Sequence, residues 1–248
     1  MNKKTSKNVL ALDKQIEHAV RDHKLLEEGD RILVAVSGGK DSLTMLDYLC
    51  HDQKKSKIKY EIIAVHVKTD FHCGACVSEE VLAQIFKNHH IRYEFKNIKV
   101  LDEKGKTGCF WCSWNRRKVL FQTAAELSCN KIAFGHHKDD IVETALLNLF
   151  YNGEISGMKA RQELFKGLIT IIRPLCFIEE DLIKHVAREK GIPEQLYQCR
   201  FGSMSKRKLM KDIIKNLEKN FVNTDFKSNV FKSLLLLKNR TTSKNQIK

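Results

Sequence analysis

The sequence contains no uninterrupted apolar run that approaches the roughly 20 residues a membrane-spanning helix requires. The lysines near its start are not followed by an apolar stretch of signal-peptide length, so we expect neither secretion nor a membrane anchor. Internal repeats and low-complexity blocks are also missing. Because 42% of its 248 residues are hydrophobic, a sizeable core is available, and we expect a folded cytoplasmic protein.

Acidic residues are scarce: Asp and Glu total 30 against 44 Lys and Arg, which gives a formal net charge of +14. The excess is concentrated in residues 206–248, which contain 12 basic and 3 acidic residues. A concentrated basic surface favours a polyanionic partner, most simply nucleic acid. The alternative is a solvated tail that only aids solubility. We prefer nucleic acid, because apolar residues at helical spacing run through the same segment.

Cysteine is more abundant, with eight residues. In the cytoplasm thiols are kept reduced, so these cysteines are expected to be metal ligands or catalytic groups rather than a disulfide framework. Cys109 and Cys112 form a C-x-x-C pair in GKTGCFWCSWNRRK, and Cys73 and Cys76 form a second pair in FHCGAC. Such a pair can hold zinc, carry a redox disulfide or bind an iron–sulfur cluster, and spacing alone does not choose among these.

Short β-rich runs alternate with amphipathic helical patterns along the chain. The predicted strands are 31–36, 60–67, 91–98, 131–135 and 168–175. The predicted helices are 8–27, 42–50, 78–89, 114–128, 140–151 and 179–190. Alternation of this kind predicts an α/β fold, in which right-handed crossovers build a parallel sheet with helices on both faces. We divide the chain into an N-terminal helical segment (1–28), the α/β domain (29–200) and a basic helical C-terminal segment (201–248).

A glycine-containing turn, SGGKDS, follows the first predicted strand and opens a helix. Its glycines let backbone N–H groups approach an anion, and the helix N-terminus adds a favourable partial charge. The serines bring hydroxyl donors, and Asp41 can hold Mg²⁺ against phosphate oxygens. Val34 and Asp41 stand where a Walker loop needs glycine and Ser or Thr, so this is another kind of phosphate loop. A plain turn between strand and helix is the alternative.

A second strand end carries GHHKDD, residues 135–140. Gly135 allows a close backbone approach, and the two carboxylates begin a helix, where they can also act as caps. A zinc site formed by His136 and His137 is not expected, because adjacent residues rarely converge on one ion. The candidate ATP-binding residues of the two turns are Ser37, Gly38, Gly39, Lys40, Asp41, Ser42 and Gly135.

S-G-G-x-D-S after a strand, together with G-H-x-x-D-D, resembles the PP-loop ATP pyrophosphatases. Enzymes of that family split ATP between the α and β phosphates and leave AMP on a carbonyl-type oxygen. The x position varies there, so Lys40 is not given the role of a Walker lysine. From about residue 12 to 219 the chain is similar, in the order and spacing of its motifs, to the tRNA 2-thiocytidine synthetase (TtcA) family. The segments that carry this resemblance are GDRILVAVSGGKDSLTMLDYL, GKTGCFWCSWNRRKVLFQTAAELSCNKIAFGHHKDDIVETALLNLFYNGEISGM and IIRPLCFIEEDL.

This resemblance implies an adenine nucleotide alpha hydrolase-like fold and a two-step thiolation. ATP, with Mg²⁺, adenylates O2 of a tRNA cytidine, expected at position 32 of the anticodon loop, and sulfur carried by a [4Fe–4S] cluster then displaces AMP. The implied partners are tRNA and a sulfur donor such as a cysteine desulfurase, with a homodimer as the expected assembly.

The resemblance also assigns residues. Asp41 and Asp140 become catalytic candidates, the latter as a magnesium ligand or general base. Arg116 would stabilise negative charge beside the cluster, although a phosphate contact or a surface ion pair fits it equally well. Cys109 and Cys112 would ligate the cluster with a third cysteine, which we assign to Cys199 in GIPEQLYQCRFGSMSKRK. Cys176 is left as the alternative third ligand.

Two other functions remain open from the sequence. One is the same chemistry on a tRNA uridine. The other is a basic RNA-binding protein without catalysis, in which the two C-x-x-C pairs form a Cys₄ zinc site. Trp111 and Trp114 could stack on a base, but their helical spacing favours packing. No role in the cluster is assigned to Cys73 and Cys76.

Overall fold

The structure is a computed structural model that describes residues 6–71, 77–193 and 206–244. Its strands are β1 (Arg31–Ala35), β2 (Glu61–Thr69), β3 (Arg92–Ile98), β4 (Lys131–Ala133), β5 (Arg161–Leu164) and β6 (Ile169–Ile172). Its helices are α1 (Lys7–His23), α2 (Lys40–Lys55), α3 (Glu79–Asn88), α4 (Cys109–Glu126), α5 (Lys138–Asn152), α6 (Glu180–Glu189), α7 (Lys206–Asn220) and α8 (Phe226–Lys244). Among these residues, no helix has the length and apolar character needed to cross a membrane.

The strands form one six-stranded sheet in the order β3-β2-β1-β4-β6-β5. All neighbouring pairs are parallel except β5 and β6, which pair antiparallel at one edge. The predicted α/β fold with a parallel sheet is therefore confirmed. The hairpin was not predicted, because RQEL of β5 is short and polar and lies at an edge. The turn between its strands places Phe165 and Lys166 at positive φ, 52° and 56°.

Helices cover both faces of the sheet, and the strand sequences explain why. Ile32 and Val34 of β1 belong to the larger hydrophobic cluster, which also contains buried residues of α1, α2, α3 and α6. Leu33, between them, belongs to a second cluster with Leu120 and Ala124 of α4. Because alternate side chains of a strand point to opposite faces, a strand covered on both sides reads as a continuous apolar run.

Several helix boundaries differ from the prediction. The helix expected at 114–128 begins at Cys109, so the C-x-x-C pair lies in its first turn rather than in a preceding loop. The first helix ends at His23, where Lys24 adopts a left-handed conformation with φ 48°. The C-terminal segment forms α7 and α8, and both pack against α5. The segment boundaries at 28/29 and 200/201 stay predictions.

The strand order reverses at β1. Strand β1 lies between β2 and β4, so the turns that follow β1 and β4 meet at the carboxyl edge of the sheet. In open α/β sheets such a switch point forms a crevice in which ligands bind. The two predicted motifs, SGGKDS and GHHKDD, are the turns that occupy it.

Candidate active site

A cavity of about 300 Å³ opens at this switch point. Three segments build it: the turn after β1, the turn after β4 and the second and third turns of α4. Its polar lining is supplied by Ser37, Asp41, Ser42, Ser113, Arg116, Arg117, His136 and Asp140, with Gly135 among them. Val65 and Val67 of β2 contribute to its apolar lining. The structure thus brings together most of the predicted residues, namely Ser37, Asp41, Ser42, Gly135, Asp140 and Arg116, around one space. The predicted residues Gly38, Gly39 and Lys40 are not part of this lining.

Serine hydroxyls hold the phosphate loop in shape. The backbone N–H of Ser37 donates to Ser42 Oγ at 3.2 Å, and the Ser42 hydroxyl donates to the Gly39 carbonyl at 2.9 Å. The Gly39 N–H in turn donates to Ser37 Oγ at 3.2 Å. Gly38 sits at φ +87°, a conformation that side chains rarely adopt. The loop is therefore shaped by its own residues at the start of α2, where the helix dipole favours an anion.

Gly135 is required where the two turns touch. A Cβ on this residue would lie 3.0 Å from both the Cα and the N of Ser42, and 3.1 Å from the carbonyl carbon of Asp41. These are backbone atoms that cannot rotate away. Any side chain at this position would push the turn after β4 away from the phosphate loop. This is the close backbone approach that the sequence predicts at Gly135.

Asp41 and Asp140 line the same cavity, and His137 lies between them. His137 Nε2 is 4.0 Å from Asp41 Oδ1 and 3.5 Å from Asp140 Oδ2. Asp140 also caps α5, because its Oδ2 accepts the backbone N–H of His137 at 3.1 Å. Its other oxygen accepts a hydrogen bond from Arg207 Nη1 at 3.1 Å. The Asp140 carboxylate therefore caps α5 and lines the cavity at the same time.

The contacts of Lys40 differ from those of a Walker lysine, which binds phosphate. Its Nζ lies 3.1 Å from Asp41 Oδ1 and 3.1 Å from Glu180 Oε1 of α6. Two carboxylates therefore already compensate its charge. A direct contact of Lys40 with ATP stays a prediction.

Positive charge faces the cavity from α4. Arg116 Nε is buried and has no hydrogen-bond partner in the described part of the chain. Burial lowers the pKa of the neighbouring His136 to about 4, so this imidazole is neutral at pH 7. Burial, together with the charge of Arg117, also lowers the pKa of Arg173 to about 10. Guanidinium groups that still have unused N–H donors can bind phosphate, because phosphate oxygens accept hydrogen bonds from two N–H groups at once.

The C-x-x-C thiols lie at the start of the helix that forms this wall. Cys109 is exposed and Cys112 is half-buried, and the helical repeat places Cys109 on the same side of α4 as Ser113 and Arg116. Exposed thiols at a helix N-terminus fit an iron–sulfur cluster, whose usual ligands are thiolates, and also fit zinc. Among the described residues, no group of three His, Cys, Asp or Glu side chains is placed to hold a metal ion.

The remaining cysteine predictions divide into two groups. Cys199, Cys73 and Cys76 lie outside the described residues, so the third ligand and the Cys₄ zinc pairing stay predictions. Cys176 is 1% exposed and belongs to the larger hydrophobic cluster. It lines a different, apolar cavity beside Phe177, and its burial argues against the alternative third ligand.

The tryptophans are packed only in part, because their two rings stack on each other while about half of each side chain stays exposed. Trp111 and Trp114 are 53% and 46% exposed.

Sequence reasoning also missed two arginines of the site. Arg117 could have been found, because it directly follows Arg116 and faces the same wall. Arg207 could not, because it lies 67 residues from the Asp140 carboxylate that it contacts.

Solved structures of other proteins share the fold of this chain. The U34-tRNA thiolase NcsA from Methanococcus maripaludis, solved with its [4Fe-4S] cluster, superposes with a TM-score of 0.74. That match covers 93% of this chain and 78% of NcsA at 23% sequence identity, so it shows the fold alone. NAD+ synthetase from Burkholderia pseudomallei has a TM-score of 0.50 at 12% identity, covering 98% of this chain and 92% of that chain.

Curated relatives are closer in sequence. A tRNA-cytidine(32) 2-sulfurtransferase from Delftia acidovorans is 38% identical over 188 residues, which are 73% of this chain and 59% of that protein. The protein of the same name from Burkholderia multivorans is 37% identical over 214 residues, 84% of this chain and 64% of that protein. The chain thus spans about three-fifths of the length of these relatives. A family model described as a PP-loop domain matches residues 8–193, most of the chain, and the chain therefore belongs to the PP-loop family.

Proposed function

We propose that this chain is an ATP-dependent tRNA thiolase that adenylates O2 of a cytidine, at position 32 of the anticodon loop, and replaces that oxygen with sulfur. The observation that carries the proposal is the shared cavity. Its phosphate loop, its two carboxylates and the guanidinium groups of α4 surround one space, and α4 begins with the two thiols. The name of the curated relatives supports the choice of cytidine 32.

The first step is transfer of AMP. Cytosine O2 attacks the α-phosphorus of ATP, the bond to the bridging oxygen breaks, and pyrophosphate leaves with that electron pair. Backbone N–H groups at the start of α2 hold the phosphates. Arg116 and Arg117 donate to the oxygens on which charge develops, in a cavity where such donors act strongly because water is displaced. Mg²⁺, when held by Asp41 and Asp140, supplies further positive charge against the phosphates.

Asp140 is assigned to charge rather than to proton removal in this step. Cytosine O2 carries no proton, so its attack on phosphorus requires no general base. The carboxylate of Asp140 is already held by Arg207 and by its own helix cap, which fix its direction toward the cavity. Positioning of this kind suits an ion or phosphate site more than a group that must exchange a proton.

In the second step sulfur at the sulfide level attacks C2, the bond from C2 to O2 breaks, and AMP leaves with O2 and the electron pair of that bond. A [4Fe–4S] cluster bound by Cys109, Cys112 and a third ligand, assigned to Cys199, would supply that sulfur. Arg116 lies one turn beyond Cys112, at the cavity wall. In this position it would face the phosphate of the leaving AMP. The chain's own contribution is to hold the adenylated base and the two thiols at the N-terminus of α4 beside the same cavity.

The proposed partners follow from this chemistry. They are tRNA, ATP and a sulfur donor such as a cysteine desulfurase. We also propose a homodimer, which the family resemblance implies, and the cytoplasm, which the sequence leads us to expect. Within 29–200 we place the catalytic domain, and we assign residues 201–248 to the tRNA backbone, in keeping with their charge.

The test is to identify the nucleotide products. Purified protein with ATP, Mg²⁺ and tRNA should release AMP and pyrophosphate, and omission of tRNA should suppress the release. Formation of ADP and inorganic phosphate would contradict the proposal, because that cleavage occurs at a different bond of ATP.

A further inference from the structure

Three aromatic side chains at the start of α4 are open to solvent. Phe110, Trp111 and Trp114 are 79%, 53% and 46% exposed. The two indole rings lie nearly parallel, with centroids 5.9 Å apart and an angle of 12° between their planes. Leaving this much aromatic surface in water forgoes the free energy that its burial would contribute. A contiguous exposed aromatic surface indicates a binding surface.

This surface borders the active-site cavity. Ser113, next to Trp114 in the chain, lines the cavity, and so do Arg116 and Arg117 in the following turn. The aromatic rings and the cavity wall therefore belong to adjacent sides of the same two helical turns. If one group of a ligand lies on the rings, the group next to it in the ligand lies at the mouth of the cavity.

The charge around the rings selects the class of ligand. Residues 104–125 contain no Asp or Glu, and their basic members are Lys104, Lys106, Arg116, Arg117 and Lys118. Lys118 Nζ lies 5.7 Å from the centroid of the Trp114 ring. An aromatic surface within an all-cationic segment matches bases that stack beside a phosphate backbone. The apolar face of a protein partner would not require these cations.

We propose that Trp111 and Trp114, with Phe110 beside them, form a stacking platform for unpaired bases of an RNA loop. The identification of the RNA as the substrate of this site rests on the proposed function. A base held on the platform places the adjacent nucleotide at the cavity, so the platform selects single-stranded loops against base-paired stems. Base pairs inside a stem cannot use it, because both of their faces are already covered by neighbouring pairs.

Intrinsic fluorescence tests this proposal directly, because Trp111 and Trp114 are the two tryptophans of the chain. The full-length protein is titrated with a short RNA hairpin that has a single-stranded loop, and separately with a blunt RNA duplex of the same length. The platform predicts saturable quenching by the hairpin and little quenching by the duplex. Equal quenching by the two RNAs, or none by the hairpin, would overturn it.

Substitution gives a second, independent readout. Trp111→Ala with Trp114→Ala should weaken binding of a labelled hairpin at least fivefold, roughly the effect of losing one stacked base, and leave duplex binding unchanged. Trp111→Phe with Trp114→Phe should retain most of the affinity, because a phenyl ring still stacks. Phe165→Ala, which removes a 59% exposed ring from the β5–β6 hairpin, is the matched control and should bind as the wild type does.

The outcomes separate this inference from the proposed function. If the double alanine variant binds the hairpin normally and still thiolates tRNA, the platform is wrong and the thiolase assignment stands. If the wild type is quenched by the hairpin and the alanine variant loses that affinity, but neither thiolates tRNA, the platform stands and the thiolase assignment fails. If the alanine variant loses affinity only for a protein sulfur donor, the surface binds protein and the platform is overturned.

Discussion

The two edges of the sheet both bury charge, and they do so differently. At the amino edge, Lys131 is 2% exposed, and its Nζ lies 2.7 Å from Asp30 Oδ2 and 2.8 Å from Glu27 Oε2. The same nitrogen donates to the Leu25 carbonyl at 3.1 Å, and Asn130 donates to the other oxygen of Asp30 at 2.8 Å. At this edge both partners of the buried ion pair have their hydrogen bonds.

At the carboxyl edge, by comparison, several buried polar atoms in the described part of the chain lack hydrogen-bond partners. Arg116 Nε, His136 Nδ1 and Arg173 Nε are buried without a hydrogen-bond partner among the described residues. A buried donor without a partner is costly, about 1–3 kcal/mol, so such groups persist where a ligand supplies what is missing. The Lys131 network of the amino edge is thus complete and stabilises the fold, whereas the unpaired donors of the carboxyl edge lie at the candidate active site.

The largest effect is expected at the carboxyl edge. Asp41→Asn should lower tRNA-dependent formation of AMP about a thousandfold, because it removes a carboxylate that would hold Mg²⁺ against the phosphates, while thermal stability changes little. Asp47→Asn, on the same helix but paired with Lys190, is the matched control and should retain activity. Rates of pyrophosphate release check the prediction, and a loss smaller than tenfold for Asp41→Asn would remove this residue from the site.

The second effect lies at the amino edge and has the opposite character. Lys131→Met should destabilise the protein by about 3 kcal/mol, because it leaves the buried Asp30 carboxylate without its cation. Activity per folded molecule should be unchanged. Lys96→Met, which breaks a partly exposed pair with Glu94, should cost less than about 1 kcal/mol. Urea denaturation measures both, and equal costs would show that the amino-edge network has no special role.

Opposite pH dependence at the two edges gives a third test. Burial, followed by the charge of Asp140, raises the pKa of Glu143 from its ordinary 4.5 to about 7. The folded state therefore holds this proton more tightly than the unfolded state, and stability falls as pH rises from 4.5 to 7. Glu143→Gln should be about 3 kcal/mol more stable than the wild type at pH 8 and equal to it near pH 4.5.

Glu27→Gln is the matched control from the amino edge. The hydrogen bond from Lys131 lowers the pKa of Glu27, so its contribution to stability is present above pH 4.5 and lost as pH falls through the lowered value. Glu27→Gln should therefore be less stable than the wild type at pH 8. Unfolding free energies at both pH values decide, and the same sign for both variants would contradict the comparison.

The smallest expected effect concerns tRNA binding. Lys215 and Lys219 are exposed on α7, which packs against α5 at the carboxyl edge, whereas Lys57 and Lys59 are exposed before β2 at the amino edge. Replacing the α7 pair with alanine should weaken tRNA binding a few-fold and reduce the salt slope by about two. Replacing the other pair should change neither. Equal effects of the two pairs would indicate that positive charge acts without regard to position.

Much of this architecture could be predicted from local patterns. Continuous apolar runs such as RILVAV, separated by helical patterns, require a sheet covered on both faces, and the carboxyl-edge rule then places SGGKDS and GHHKDD together. Strand β5 could not be predicted, because an exposed polar edge strand shows no alternation. The start of α4 was also missed, since cysteine and aromatic residues are poor helix formers and their exposure removes the apolar period.

The completed site depends on distant contacts that no local pattern contains. Arg207 reaches Asp140 because α7 packs on α5, and its guanidinium also donates to Thr144 Oγ1 at 3.0 Å. Lys227 of α8 lies 3.0 Å from Asp139 Oδ1 in the same way. In the sequence these residues are part of a basic segment, and only the packing of the C-terminal helices shows that some of its charge faces the active site.

The most direct test of the central claim is nucleoside analysis of the RNA product. Unmodified tRNA is incubated with the reconstituted iron–sulfur protein, ATP, Mg²⁺ and a sulfide source, then digested and examined by mass spectrometry. We expect 2-thiocytidine that depends on ATP and is absent from the products of the Asp41→Asn and Cys109→Ser variants. Thiolated uridine in place of 2-thiocytidine, or cytidine thiolation that persists without ATP, would contradict it.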